Sequence, residues 1–523
     1  MPSRTRRFFL NAISLTVTAL FMRAVSVAFN VYVSNKAGSE AMGLYSLLGS
    51  VYGFGITLGT AGINLGITRL ISNALAKGDK NNAKTAAKKC ILYCVISGGC
   101  ATALLLIFSK PIGTGLLGDA RTVFPLQILA LTLIPIAVCS CLSGYFTAVR
   151  RVKANAAFQV AAQFVKIGVT VFLFSLLIDK GTQEACVALV SGGAVAEFFS
   201  LIITYALYRY DLRKLSCGSQ TPEKSPAITK QLLSITLPVT FSACIRSALT
   251  MFQHVLIPKG LKASGQGWAE ALSNYGYLHG MALPVILFPS AYISAFAGLL
   301  IPEVSECLAQ NDDERLKRTA YRSLSLSLFF SIGISGIMIF FSSELGILIY
   351  GSADVARYIR IIAPLIPVMY IDGAVDAILK GTGHQVYSMN VNIADALTSC
   401  IFALTLIPSF GINGYIVSIY ATEILNTTLS LYKMFSVSKM KPKIFHQVFM
   451  PILCIIGATN GSNLTLSLLK HPFSCGIELT LHIILTLCIY IALLIITKTV
   501  GSEENEFLYA ALLSEKKYKS RFT

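Results

Sequence analysis

Apolar runs of about 20 residues recur from one end of the chain to the other, and a helix of that length crosses a hydrocarbon layer of about 30 Å. Nothing else in the sequence constrains the fold as strongly. Of the 523 residues, 54% are hydrophobic and only 13% are charged, against roughly 25% charged in a soluble domain. So few charges cannot dress a soluble surface. Disorder, a collagen-like fibre and an ordinary cytosolic enzyme are therefore excluded, and the runs specify an all-α polytopic membrane protein.

The formal net charge of +18 arises from 43 Lys and Arg against 25 Asp and Glu. In a soluble protein such a surplus would raise the question of nucleic acid. Here the bases sit in short loops between apolar spans, with no basic stripe interleaved with aromatics. That pattern is the positive-inside rule of membrane topology, and no nucleic-acid partner is expected. The 13 cysteines are scattered through apolar segments; only Cys139 and Cys141 are close together. No metal-ligand spacing or disulfide framework is visible, so no metal site is expected. The segment Thr5-Arg-Arg-Phe-Phe-Leu10 has the look of a twin-arginine export signal. Arg23 interrupts the apolar run behind it and no small-residue cleavage site follows, so it reads as the start of an uncleaved first span.

Hydropathy predicts about fourteen spans. With the amino terminus inside, most Lys and Arg fall in the cytoplasmic segments, which places both termini in the cytoplasm. An internal repeat sharpens this. At a shift of 233 residues, Ser72-Asn-Ala-Leu-Ala-Lys-Gly-Asp79 falls on Ser305-Glu-Cys-Leu-Ala-Gln-Asn-Asp312, and Lys84 and Ala87 fall on Lys317 and Ala320. At the same shift Phe108-Ser109, Gly113, Gly118 and Ala120 meet Phe341-Ser342, Gly346, Gly351 and Ala353. Each repeat holds six spans, an even number, so the copies are parallel and related by an axis along the membrane normal. The expected domains are a six-helix lobe at 1–208, a cytoplasmic linker at 209–230 and a second six-helix lobe at 231–435. Two additional helices at 448–497 and a cytoplasmic tail at 498–523 follow.

No GxxxxGK[ST], HExxH or GxSxG signature is present, so neither an enzyme nor a nucleotide-driven pump is indicated. No cofactor is implied, and any transport runs on a substrate or ion gradient. The informative residues are polar groups inside the spans, since a charge at bilayer depth costs about 2.5–3.5 kcal/mol or more. Arg23, Lys166 and Arg246 are the cationic ones. Arg23 and Arg246 open the two lobes, and arginine's planar fork of donors matches phosphate oxygens. Structural ion pairing is the alternative use. Asp372 and Asp376 are four apart and share a helix face with each other, as do Asn392 and Asp395 at a spacing of three. With Glu423, the residues Asp376, Asn392 and Asp395 are candidates for binding a coupling Na+ or H+. Lys380, just beyond Asp376, points instead to a wet cytoplasmic mouth. Glu197 stands in span 6, and His254 and His279 receive no role.

The phrases Gly43-Leu-Tyr45, Gly62-Ile-Asn-Leu-Gly-Ile-Thr-Arg69, Leu237-Pro238 with Leu256-Ile-Pro258, Gly280-Met-Ala-Leu-Pro284 with Phe288-Pro289, Leu300-Ile-Pro-Glu303 and Ile378-Leu-Lys-Gly-Thr-Gly383 occur in order along the chain. Together they resemble the stage V sporulation protein B and polysaccharide-transporter branch of the multidrug/oligosaccharidyl-lipid/polysaccharide flippase superfamily. The resemblance covers spans 1–12, and spans 13 and 14 by hydropathy only. It implies two lobes like those of multidrug exporters and lipid II flippases, and a monomer that flips an undecaprenyl-pyrophosphate-linked glycan or peptidoglycan precursor to the outer leaflet. Cavity arginines of related flippases grip the pyrophosphate, which agrees with the reading of Arg23 and Arg246, with Lys166 beside them. Where the branch often shows Glu and Arg in span 5, this chain has Gln163 and Lys166, which departs from any charge pair there. Two other functions fit the spans: a Na+- or H+-coupled multidrug exporter, and a non-transporting scaffold for cell-wall enzymes.

Overall fold

The structure is a computed structural model that describes residues 2–76, 80–149, 151–177, 181–215, 227–469, 475–497 and 499. Repeat residues 77–79, linker residues 216–226, outer-loop residues 178–180 and nearly all of the expected tail at 498–523 lie outside the described residues. Every regular element described is helical. In the first half these are α1 (Pro2–Thr60), α2 (Ile63–Ala76), α3 (Lys80–Ile107), α4 (Val123–Ala148), α5 (Val152–Leu177), α6 (Thr182–Leu215), α7 (Ala227–Ala263) and α8 (Trp268–Tyr275). A π-helical turn at Gly276–Ala282 leads into α9 (Leu283–Leu287), α10 (Ser290–Ala309), α11 (Asp313–Phe340), α12 (Ser342–Tyr350) and α13 (Ala353–Ile362). The chain ends with α14 (Ile366–Gly381), α15 (Gln385–Ser438), α16 (Met450–Leu469) and α17 (Cys475–Ile496).

Among the described residues, twelve helical stretches are long and apolar enough to cross a membrane. Two of them, Phe21–Thr60 and Gln385–Ser438, are 40 and 54 residues long. Each is broken by a glycine in the left-handed region, Gly38 at φ 79° and Gly411 at φ 57°. Side chains avoid that conformation, so each glycine breaks its helix between two of the spans that hydropathy separates.

The repeat seen in the sequence recurs in the helix ends. Ile107 ends α3 and Phe340 ends α11, 233 residues apart. Gly118 and Gly351, also equivalent, both have positive φ, at 72° and 60°. The next residues, Asp119 and Ser352, each cap the following helix by accepting from a backbone N–H. Where α2 crosses α4, Thr68 Oγ1 donates to the Gly144 carbonyl at 3.1 Å, and where α10 crosses α14, Ser305 Oγ donates to the Gly381 carbonyl at 3.0 Å. These two contacts are related by 237 residues, so the crossing has moved by one helical turn while the helix ends kept register.

Contacts divide the chain into two compact units. The first comprises residues 1–281 with 396–415, and the second residues 282–395 with 416–523. In the first, Ile67, Ala87, Cys94, Cys141 and Phe146 form a closed core among α2, α3 and α4. Gly43 of α1 and Gly276 meet back to back: a Cβ on Gly43 would lie 2.1 Å from the Leu272 carbonyl oxygen, and one on Gly276 would lie 2.0 Å from that of Ser39. Only glycine allows backbones this close. These two glycines are 233 apart, so equivalent residues of the repeat face one another. In the second unit, α10, α11 and α14 enclose Val304, Ala320, Val375 and Leu379. Helices α16 and α17 seat on α11 through its glycines; the Tyr490 ring lies over Gly333 and its hydroxyl donates to the Phe329 carbonyl at 2.8 Å. Phe172, Ile202, Phe241, Leu404 and Leu453 are exposed, as lipid-facing side chains are.

Candidate functional site

The first unit contains a cavity of about 490 Å3 bounded by α1, α2, α4, α5 and α6. Tyr45 and Tyr52 face it from α1, Gln159, Gln163 and Lys166 from α5, and Glu197 from α6. Ser140, Ser143 and Ser200 add hydroxyls, and Phe158 and Leu129 add apolar wall. The α5 residues recur at spacings of four and three, which sets Gln159, Gln163 and Lys166 on one stripe of that helix. The positions of several groups are fixed by neighbours. Tyr52 and Thr132 share a hydrogen bond of 2.6 Å between hydroxyls, and Gln163 Nε2 donates to Ser26 Oγ at 3.4 Å. The Lys166 ammonium stands 5.9 Å from the centre of the Phe29 ring, a cation–π distance. Lys166 and Glu197 are within electrostatic reach of each other, yet among the described residues no ion pair within 4.0 Å joins them.

Arg23 lies on α1 and Arg246 on α7, both in the first unit and both exposed. The α1–α7 crossing near Arg246 is polar: Thr57 Oγ1 donates to Ser247 Oγ at 3.1 Å, and Thr240 Oγ1 donates to the Ala61 carbonyl at 2.7 Å. Lys166, expected beside them, shares its cavity with a carboxylate. Sequence reasoning recorded Glu197 as a charge at bilayer depth but gave it no partner; the shared mid-span depth of Lys166 and Glu197 in consecutive spans was the available signal.

The second unit gathers the other candidates. Asp372 and Asp376 stand on α14, and Asn392, Asp395 and Glu423 on α15. Asp376 accepts from Lys380 Nζ at 2.6 Å and from the Ser388 hydroxyl. It is thereby committed to partners within the helix pair. Asn392 Nδ2 donates to the Ser388 carbonyl at 2.8 Å. Asp395 lies within electrostatic reach of Asp372, and Glu423 within reach of both. Ser430 and Asn426 stand beside the Asp372 carboxylate, and among the described residues the Asn426 Oδ1 is buried without a partner. Asp372, which sequence reasoning left outside its candidate set, thus stands at the centre of the acidic group. Among the described residues no three His, Cys, Asp or Glu side chains come close enough to hold a metal ion.

Among the described residues, helices able to cross a membrane surround a polar cavity, an arrangement that suits a membrane transporter. Comparison with known proteins gives the family. A profile described as polysaccharide biosynthesis protein matches residues 8–308, more than half of the chain, and a profile described as MatE matches residues 270–405. The chain belongs to the polysaccharide biosynthesis protein family, within the multidrug/oligosaccharidyl-lipid/polysaccharide superfamily of membrane transporters and flippases. It is similar to stage V sporulation protein B of Bacillus subtilis (strain 168), with 26% identity over 83% of this chain and 84% of the relative. It is also similar to the lipid II flippase MurJ of the same organism, with 20% identity over 77% and 78% of the two chains. Among solved structures, a lipid II flippase MurJ in an inward closed conformation shares the fold with a TM-score of 0.68 at 13% identity, covering 96% of this chain and all of that one. An inward-facing multidrug resistance MATE family transporter gives 0.59 at 16% identity, covering 82% of this chain and all of that one.

Proposed function

We propose that the protein moves a lipid-linked glycan, carried on undecaprenyl pyrophosphate, from the cytoplasmic to the outer leaflet of a bacterial cell membrane. Movement is by alternating access of two parallel six-helix lobes, 1–208 and 231–435, in a fourteen-span monomer with both termini in the cytoplasm. Counting Phe21–Thr60 and Gln385–Ser438 as two spans each supports that number. The product serves cell-wall, capsule or spore-cortex synthesis. The observation that carries the reading is the pair Arg23 and Arg246, two permanent cations in apolar helices with exposed side chains. A pyrophosphate crossing a low-dielectric zone needs compensating charge along its path, and arginine supplies it through two parallel hydrogen bonds. Coupling to Na+ or H+ falls to Asp395 and Glu423 with Asn392 nearby; Asp376, already held by Lys380 and Ser388, has less to offer a cation.

The test is reconstitution in liposomes with a fluorescent undecaprenyl-pyrophosphoryl disaccharide, its outer-leaflet fraction read by chemical quenching. Arg23→Ala or Arg246→Ala abolishes translocation with protein still in the membrane, and the Lys replacements retain part of it. Full activity of the Arg23→Ala, Arg246→Ala double variant contradicts an anionic lipid substrate and restores the multidrug exporter, which the MatE match over residues 270–405 keeps as the second reading.

A further inference from the structure

Lys166 and Glu197 line the cavity among α1, α2, α4, α5 and α6, and among the described residues no ion pair within 4.0 Å joins them. Lys166 stands 5.9 Å from the centre of the Phe29 ring. Glu197 is half-buried and, among the described residues, accepts no hydrogen bond, while Tyr52 and Lys166 lie within its electrostatic reach. Desolvating two charges is repaid when their remaining donors and acceptors are satisfied. Both side chains line the same cavity, whose wall mixes amides, hydroxyls and tyrosines with the apolar side chains of Leu129, Ile136, Phe158, Leu189 and Val190.

The ligand such a gap takes follows from charge and donor count. A phosphate gains from Lys166 but is repelled by Glu197, so the site has no net attraction for it. An organic cation meets the reverse conflict. A neutral polyol meets none, because each hydroxyl both donates and accepts and can give to Glu197 while receiving from Lys166. Gln159 and Gln163 offer further donors and acceptors, and the faces of Tyr45, Tyr52 and Phe158 suit the C–H faces of a pyranose ring. The volume of about 490 Å3 lies within the range of about 300–1,000 Å3 that small-molecule sites occupy.

We infer that this cavity is a sugar subsite, in which the hydroxyls of a neutral hexose-class sugar bridge Lys166 to Glu197 while the pyrophosphate is held elsewhere. The inference rests on the lipid-linked-glycan reading and narrows it: selectivity for the glycan resides in the first bundle, and Lys166 acts on the sugar rather than on the phosphate.

Two probes separate the possibilities, undecaprenyl-pyrophosphoryl disaccharide and undecaprenyl pyrophosphate without sugar, bound to the full chain in lipid nanodiscs. Glu197→Gln and Lys166→Met each remove a charged hydrogen-bond partner, so affinity for the disaccharide lipid falls about tenfold or more and affinity for the sugar-free lipid stays the same. Cys139 lines the same cavity, which gives a readout in the unaltered protein. The disaccharide lipid slows alkylation of Cys139 by N-ethylmaleimide, followed by peptide mass spectrometry, and the sugar-free lipid does not. Equal loss for both lipids, or equal protection by both, overturns the sugar subsite in favour of a phosphate or structural role. Unchanged binding in both variants also overturns it. If the unaltered protein binds neither lipid, the flippase reading itself fails.

Discussion

Arg121 shows how one side chain joins segments that hydropathy treats as unrelated loops. Its guanidinium bonds Asp119 at 2.7 Å and Glu40 at 2.9 Å, and the Trp268 indole donates to the same Asp119 carboxylate at 2.9 Å. Lys262 stands 5.7 Å from the centre of the Trp268 ring. Burial works against the Asp119 charge, but hydrogen bonds from the Arg121 side chain, the Trp268 indole and the Arg121 backbone outweigh it and hold the carboxyl below its usual range. A charge-assisted bond of this kind contributes about 1.5–3 kcal/mol, so Arg121→Ala lowers stability by about 2 kcal/mol in thermal unfolding of the detergent-solubilised protein. Because the Asp119 pKa is depressed on folding, that contribution is present above the ordinary carboxylate pKa of about 4 and disappears as pH falls through the native value. The gap between wild type and variant therefore persists at neutral pH and closes only in strong acid; a gap independent of pH over that range would show that the network does not depend on the Asp119 charge. None of this was legible in the sequence, since the partners are 81 and 149 residues apart and loop charges carry no periodic signal. Lys166 was legible because a lone cation in an apolar run stands out; that Glu197 faces it was not, because hydropathy fixes depth in the membrane but not azimuth around the bundle.

The elements divide along the same line. Spacing was enough to put Asp372 with Asp376 and Asn392 with Asp395 on common faces, since three and four residues make one helical turn. It did not bring Glu423 to Asp372, because that relation depends on how α15 folds back at Gly411. If Asp395 and Glu423 bind the coupling cation, Asp395→Asn and Glu423→Gln insert normally and lose the dependence of transport on the Na+ or proton gradient; unchanged gradient dependence in both moves them to a packing role. The α1–α8 crossing gives a sharper packing test. Gly43→Ala or Gly276→Ala drives a methyl group into backbone, and overpacking of this kind costs about 1–3 kcal/mol. Gly99, with nothing within 4 Å of a built Cβ, is the control: Gly99→Ala is neutral or stabilising by up to about 1 kcal/mol. Equal melting temperatures for the Gly43 and Gly99 variants would contradict the close crossing. Beside it, Tyr275 and His279 stack with their rings 10° from parallel, and the Tyr275 hydroxyl lies 3.1 Å from His254 Nδ1. A spacing of four is enough to put Tyr275 and His279 on one helix face; the sequence offered no reason to add His254, 21 residues from Tyr275.

At the scale of the whole molecule, the 233-residue shift was the most reliable guide, because it uses many weak matches at once and survives in helix ends and in paired left-handed glycines. Its limit is the one-turn slip at the α2–α4 and α10–α14 crossings, which ungapped sequence comparison cannot register. The orientation proposed for the bundle makes a direct prediction. In a background freed of native cysteines, single cysteines at Lys36 and Lys262 react with impermeant maleimide on intact cells, and those at Arg151 and Lys317 do not. Within the first unit, α4 runs 26 residues, roughly 39 Å, from the Arg121 network at one end to the Arg151–Asp211 ion pair at the other. The central claim, that this bundle carries a lipid-linked glycan between leaflets, is tested most directly by purified protein in sealed liposomes that contain both a fluorescent undecaprenyl-pyrophosphoryl disaccharide and a fluorescent phosphatidylethanolamine. The account predicts that the protein makes the glycan lipid reach the opposite leaflet much faster than in protein-free vesicles and leaves phosphatidylethanolamine at its spontaneous rate. Equal rates for the glycan lipid with and without protein, in vesicles where the same preparation exports an organic cation, would contradict it.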